Sequence, residues 1–173
     1  DAYTADHNEN AWGFYMLGLS ELKAGDLDAS EVAFIAALAL QPDHVKSLSN
    51  YSRVLIEQQR PAEARTQIEL ALLAAPENVD ANRIFSRIAH NDGQLDDAAA
   101  GYLKVLQFKQ DDVWSLNNLG LIRIEQERFA EALAPLAKAA QLSTGIACIQ
   151  NNLGVALERT GHYSAAAAAF EMA

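Results

Sequence analysis

Apolar residues fall along the chain in short stripes separated by gaps marked with glycine or proline, and the stripes recur. Leu17-Gly18, Leu119-Gly120 and Leu153-Gly154 each precede a small-residue turn and a second stripe, at separations that are multiples of 34 residues. A fixed period of this length outranks any reading helix by helix. On that period the chain divides without insertion into units starting at Ala11, Val45, Val79, Val113 and Ala147. With each unit numbered from its first residue, position 4 holds Phe14, Leu48, Asn82, Leu116 and Gln150, and position 7 holds Leu17, Tyr51, Phe85, Leu119 and Leu153. Position 8 is small throughout: Gly18, Ser52, Ser86, Gly120 and Gly154. Position 20 is Ser30, Ala64, Ala98, Ala132 and Ala166, position 24 is Phe34, Ile68, Tyr102, Leu136 and Phe170, and position 27 is Ala37, Ala71, Val105, Ala139 and Ala173.

Positions 4, 7, 8 and 11 share one face of an α-helix, and 20, 24 and 27 share one face of a second. Small residues at 8, 20 and 27 let the two backbones approach. Gly25, Gly93 and Gly161 at position 15 supply the turn that ends the first helix, and Pro42 and Pro76 at position 32 end the second. The spacing predicts an antiparallel helix pair in every unit. Two features break the pattern: Glu21 at position 11, where Leu19 and Leu22 take over the packing, and Gln110 and Thr144 at position 32. Pro135 falls inside the second helix of the fourth unit, where it removes the bond to the Glu131 carbonyl and is expected to bend or loosen the helix, whereas Pro61 stands harmlessly at a helix start.

This pattern resembles the tetratricopeptide repeat, whose signature is W-x2-L-G-x2-Y, then A-x3-F, then P. The resemblance covers residues 11–173 and implies an all-α fold, a right-handed α-solenoid of antiparallel helix pairs. The expected organisation is a polar lead-in or linker over 1–10, repeats at 11–44, 45–78, 79–112 and 113–146, and a fifth at 147–173 that is truncated in its second helix. Pentatricopeptide RNA readers have a longer period and a basic groove, and fit poorly.

Charge narrows the possible partners. Thirteen Lys and Arg face 23 Asp and Glu among 173 residues, a net charge of -10, which disfavours nucleic acid and anionic membrane surfaces. The longest apolar run, Val32 to Leu40, is too short to span a bilayer, so a soluble protein of the cytoplasm or periplasm is expected. The acidic, alanine-rich composition suits a bacterial origin. Cys148 has no second cysteine, which excludes an internal disulfide and a cysteine-based zinc site, and it reads as a small core residue. His7, His44, His90 and His162 are scattered and read as surface or capping residues; no phosphate loop, G-x-S-x-G elbow or H-E-x-x-H stretch is present. No metal, no cofactor and no catalysis are expected. Asp1 reads as the start of a processed chain or an excised fragment, and the alanine-rich run ending at Phe170 suggests that the natural protein continues or that this edge stacks on another copy.

Function is then to be sought on the extended surface of the solenoid. Positions 2, 5, 6, 9 and 13 point away from the buried stripe, and the resemblance implies that they line a concave groove holding an extended or helical segment of a partner. An apolar set stands there: Trp12, Trp114, Tyr15, Leu19, Leu121 and Val155. It reads either as binding anchors or as packing at repeat junctions. A basic set follows: Arg53, Arg83 and Arg87 near Lys46. It reads as a site for an acidic or carboxylate group, or as ordinary helix-surface pairing of Arg53 with Glu57 and Arg83 with Asp80, a pairing that Arg87 lacks. A third set is amide: Asn50, Asn118 and Asn152 at position 6, with Asn117 and Asn151 beside two of them. It is similar to the asparagine ladder of the O-GlcNAc transferase family, interrupted by Met16 and Ile84. Arg83, Arg87, Asn118 and Asn152 also partly match the carboxylate clamp of chaperone-cofactor repeats, with Cys148 where a basic residue is expected.

The sequence thus predicts a protein-protein interaction scaffold that takes a peptide carrying an acidic group near Arg83 and Arg87 and an apolar anchor near Trp114. Two alternatives stand beside it: a module that self-assembles into homo-oligomers through its terminal repeats, and the targeting domain of a larger enzyme.

Overall fold

The computed structural model describes residues 2–173, with side chains from Asn10 onward. Among the described residues every regular element is an α-helix: α1 (Ala2–Ala24), α2 (Leu27–Leu40), α3 (Val45–Glu57), α4 (Pro61–Ala74), α5 (Val79–Asn91), α6 (Leu95–Phe108), α7 (Val113–Glu125), α8 (Phe129–Leu142), α9 (Ala147–Arg159) and α10 (Tyr163–Glu171). The fold is all-α, an α-solenoid of helix pairs. Of the lead-in expected over 1–10, Asp1 lies outside the described residues and the remainder lies within α1; the His7 side chain is also outside them. No helix among the described residues is long and apolar enough to cross a membrane.

The helices gather into two compact units, Asp1–Ile88 and Ala89–Ala173. In the first, α1 packs on α2, α2 on α3 and α3 on α4. Phe34, Leu48, Leu55 and Ile68 are buried there, with Tyr15 and Tyr51 against them and Leu19 and Leu22 at the margin. Hydroxyls cross each hairpin: Ser30 Oγ donates to the Gly18 carbonyl at 2.8 Å and Ser52 Oγ to the Ala64 carbonyl at 2.9 Å. In the second unit α6 packs on α7, α7 on α8, α8 on α9 and α9 on α10. Its core is built from Leu116, Ala139 and Ile149, with Ala132, Leu136 and Ala156.

The turn inside every hairpin has the same conformation. Gly25, Gly93 and Gly161 have φ of 84°, 75° and 84°, and Gln59 and Glu127, which stand at the same repeat position, have φ of 60° and 58°. Each turn is closed by one backbone bond from the following residue to a carbonyl in the last helical turn: Asp26 to Glu21, Arg60 to Leu55, Gln94 to Ala89, Arg128 to Arg123 and His162 to Leu157, at 2.8 to 3.0 Å. That bond satisfies a carbonyl left open at the helix end, so the left-handed residue is required even where glycine is absent.

Three sequence expectations need correction. Phe14 and Leu17, at the core positions 4 and 7, are 39% and 48% exposed, and with Val32 and Ala36 they line an open apolar depression. Residues at these positions are covered by a neighbouring helix rather than by their own hairpin, and among the described residues no helix covers them. Cys148 is exposed rather than part of the core, because position 2 faces outward as it does for Trp12 and Trp114. Pro135, expected to disturb α8, leaves it unbroken from Phe129 to Leu142. The one bond it removes is at the Glu131 carbonyl, on an exposed turn that water can serve.

Glu31 of α2 accepts from Tyr51 at 2.8 Å and from Arg60 at 2.8 and 2.9 Å, clasping α2 to α3 and to the start of α4. Burial alone would raise the Glu31 carboxyl, but the bonds from Tyr51, Arg60 and Gln58 and the Arg60 charge outweigh it and hold it below its ordinary value. The Tyr51 phenol is pushed up to about 12 by burial, then by its bond to Glu31 and the charge of that carboxylate.

Candidate functional site

In the first unit, Tyr15 of α1, five residues of α3 and two leading into α5 enclose a polar pocket of about 140 Å³. From α3 come Val45, Lys46, Ser49, Asn50 and Arg53, which are one helical face at spacings of three and four; from the turn before α5 and its first turn come Asn78 and Asp80. Aromatic packing fixes the rim. Trp12 lies 5.1 Å from Tyr15, the His44 ring meets Tyr15 edge-on at 5.2 Å, and the Lys46 ammonium sits 5.1 Å from the Trp12 ring centre.

The protonation states around the pocket follow from burial. The Tyr15 phenol is pushed up, first by burial, with Arg53 pulling it down and Asp80 pushing it up, so it remains a neutral donor. His44, at the start of α3, is lowered by burial and by Lys46 against the opposing pull of Asp43, and its Nδ1 lies 2.6 Å from Ser47 Oγ.

Several polar groups in the wall are already committed. Asn50 donates to the Lys46 carbonyl at 2.8 Å, the side-chain Oδ1 of Asn78 accepts from the Ala81 N–H at 2.9 Å, and Asp80 pairs with Arg83 at 3.0 Å. Two are not. Ser49 is only 5% exposed and its Oγ has no hydrogen-bond partner, an arrangement that costs about 1–3 kcal/mol. Arg53 has no carboxylate within ion-pairing distance among the described residues, and Glu57, one turn along, does not close on it. Arg60, Arg65 and Arg83 by contrast pair with Glu31 and Glu63, with Glu69 and with Asp80.

The structure thus brings Trp12, Tyr15, Lys46, Asn50 and Arg53 together and sets Arg83 behind Asp80. Leu19 packs into the apolar cluster, and Arg87 is exposed without an ion pair among the described residues. Ser49 and Asn78 escaped sequence reasoning, whereas Asp80 was reached only as the surface partner of Arg83, a pairing that the structure shows. Ser49 stands at position 5, the position of Tyr15 and Arg83, and that register could have found it.

In the second unit the asparagines bond to one another. Asn152 donates to Asn117 at 3.0 Å, Asn117 to Asn118 at 3.2 Å, and Asn118 to the Tyr102 hydroxyl at 3.0 Å. Asn117 is buried, Asn118 and Asn152 are half-buried, and Asn151 is exposed. Trp114 is 52% exposed, while Leu121 and Val155 are half-buried. No group of three or more His, Cys, Asp or Glu among the described residues could hold a metal ion.

Comparison with known proteins agrees with this architecture. The family description "Tetratricopeptide repeat" matches residues 15–76 and 52–113, together more than half of the chain. Protein O-mannosyl-transferase Tmtc3 of Drosophila melanogaster is 26% identical over 155 residues, which cover 89% of this chain and only 16% of that protein. Among solved structures, PilF of Pseudomonas aeruginosa superposes with a TM-score of 0.86 at 18% identity, covering 96% of this chain and 76% of that one. YrrB, described as a repeat protein with an unusual peptide-binding site, superposes with a TM-score of 0.81 at 19% identity, covering 99% and 90%. With its 34-residue helix pairs and these matches, the chain belongs to the tetratricopeptide repeat family, whose fold serves as a scaffold for protein-protein interaction.

Proposed function

We propose that this chain binds an extended segment of a partner protein along the outward face of its first helices and performs no catalysis itself. The observation that carries this reading is the pocket of the first unit, where among the described residues the Ser49 hydroxyl has no hydrogen-bond partner and Arg53 no ion-paired carboxylate. A buried hydroxyl and a guanidinium without a carboxylate partner, side by side in one pocket, are groups that an external acceptor can complete. Trp12 and Trp114, about half exposed, offer large apolar anchors at small entropic cost. The peptide-binding site described for YrrB supports the same use of the fold.

The test is selection from a displayed library of unstructured dodecapeptides on the immobilised chain, with the winners remeasured against two variants. Arg53→Glu, in the pocket, is expected to weaken them at least tenfold, and Arg65→Glu, on α4, to leave them unchanged. Failure to enrich any peptide, or equal loss with both variants, would refute the reading.

A second reading draws on the match to a small part of a much longer transferase. In it the repeats are the interaction arm of a larger protein, and the full-length gene would decide.

A further inference from the structure

We infer that the apolar depression on the uncovered side of α1 and α2 seats an amphipathic helix of a partner protein, packed as α2 packs on α3 but with a lysine or arginine set against Asp26. This surface is distinct from the pocket between α1 and α3, and its occupation does not depend on the peptide reading above.

The depression measures about 610 Å³ and is lined by Phe14, Leu17, Val32 and three alanines, with Glu21, Asp26 and Asp28 as its acidic members. Leu48 and Tyr51 of α3, and Leu116 and Leu119 of α7, occupy the repeat positions of Phe14 and Leu17 and are buried, because α2 lies on α3 and α6 on α7. A helix therefore fits the depression, and the chain itself shows how one lies there.

Two internal junctions give the register. In one, position 21 of the second helix is Glu31, which accepts from Tyr51 at position 7 and from Arg60 at position 16 of the next unit, each at 2.8 Å. In the other, position 21 is Arg65, whose guanidinium lies 5.6 Å from the ring centre of Phe85, again at position 7. On the first unit positions 7 and 16 are Leu17 and Asp26. A helix seated the same way puts its position-21 residue over an apolar side chain and beside a carboxylate. A long cationic side chain suits both, its stem on Leu17 and its charge at Asp26. Position 16 is Arg60, Gln94, Arg128 and His162 in the later units, so the demand for a cation belongs to the first. None of Glu21, Asp26 and Asp28 has a cation within ion-pairing distance among the described residues.

Charge and connectivity then choose among the possible occupants. The segment Tyr163–Glu171 of α10 contains no lysine or arginine and has Ala167 at position 21, so a second copy stacking through α10 leaves Asp26 unmet. Two depressions set face to face would oppose the same three carboxylates on chains of net charge -10. A preceding second helix of the same chain would arrive through residues 7–10, the counterpart of 41–44 and 75–78, but α1 runs through them as helix from Ala2. The occupant is therefore a helix of another protein.

The probe is the segment 61–74 as a free peptide, acetylated and amidated, because α4 already has Arg65 at position 21. Binding of the labelled peptide to the full chain is read by fluorescence anisotropy, and amide NMR shifts of Leu17 and Val32 locate it. The Arg65 peptide should bind about fivefold more tightly than its Arg65→Ala form, the worth of one part-exposed ion pair, and the Arg65→Glu form should bind more weakly than either. In the chain, Asp26→Asn keeps the cap on α2 and should remove the preference, and Val32→Glu, at a site 69% exposed, should abolish binding of all three peptides. Arg53→Glu should change nothing, which separates this face from the pocket. No binding, equal binding of the three peptides, or binding that survives Val32→Glu overturns the inference. A sedimentation mass that grows with concentration in wild type but not in Val32→Glu gives the depression to a second copy and overturns it as well. A longer product of the same gene that no longer takes the peptide gives it to the protein's own upstream residues, with the same consequence.

Discussion

Replacing Gly120 by alanine puts a methyl group 2.3 Å from Cγ and 2.7 Å from Cδ2 of Leu136. Leu136 is fully buried and backed by Ala132 and Ala156, so it has nowhere to turn. Either α7 and α8 separate or Leu136 leaves its rotamer, and overpacking of this kind costs about 1–3 kcal/mol. Alanine returns about 1 kcal/mol in helix propensity, which leaves a net loss of up to about 2 kcal/mol. Gly154 presents the same geometry, 2.5 Å from Cε1 of Phe170, but Phe170 is 38% exposed and can rotate into solvent. There gain and loss should cancel to within about 0.5 kcal/mol. Gly13, exposed inside α1 with nothing within 4 Å of the added methyl, is the control and should gain about 0.5–1 kcal/mol on the same change. Urea unfolding followed by far-ultraviolet circular dichroism, at one protein concentration, measures all three. If Gly120→Ala unfolds at the same urea concentration as wild type, or if Gly120→Ala and Gly154→Ala shift alike, then the rigidity of the facing side chain does not decide the cost.

Gln59→Gly and Glu127→Gly should each stabilise by about 0.5–1 kcal/mol and Gly93→Ala should cost about 1 kcal/mol, because all three sites hold a positive φ; thermal melts showing the reverse order would refute the turn argument. Tyr51, at about 12 in the folded chain against 10.0 ordinarily, keeps a proton that the unfolded chain loses. Stability is therefore whole below about pH 10 and falls by roughly 2–3 kcal/mol as pH rises toward 12, a decline that Tyr51→Phe should remove in urea titrations at alkaline pH. An identical alkaline slope in both proteins would sink that assignment. Asn117→Ala strands the Asn152 amide and the Asn118 carbonyl, and should destabilise by about 1–3 kcal/mol in urea, against less than about 0.5 kcal/mol for the exposed Asn151→Ala; equal effects would mean that the amide chain contributes nothing.

The helix pairs were legible because burial repeats with them: Leu48, Ile68, Leu116 and Leu136 occupy positions that any packed hairpin must fill with apolar side chains. What escaped depends on partners rather than on pattern. The left-handed Gln59 and Glu127 carry no sequence mark, since their φ is imposed by the bonds that close the helix ends. Phe14 and Leu17 have core chemistry and still face solvent, because their cover must come from another hairpin. Around the pocket, helical spacing was enough to select Trp12, Tyr15, Lys46, Asn50 and Arg53. It could not select Ser49, whose interest lies in a missing bond, although the same spacing did pair Asp80 with Arg83.

The asparagines make the same point about function. By register alone Asn50, Asn118 and Asn152 are equivalent, an even row of amides ready for a peptide backbone. Their bonds differ. Asn50 spends a donor on its own helix at Lys46, while Asn118 and Asn152 donate to Tyr102 and Asn117 at 3.0 Å. An amide already bonded must break that bond before it can hold a guest, so its net gain is the difference between two similar hydrogen bonds, near zero. The chain of amides therefore acts on α7 and α9 as a brace, and fully satisfied networks of this kind favour one arrangement of the helices. Net affinity has to come from groups whose bonds are unmade in the free protein. In the pocket of the first unit the hydroxyl of Ser49, which has no partner among the described residues, and the guanidinium of Arg53, which has no ion-paired carboxylate there, are such groups, and this is why a single serine and arginine are expected to outweigh the whole row of amides in recognition.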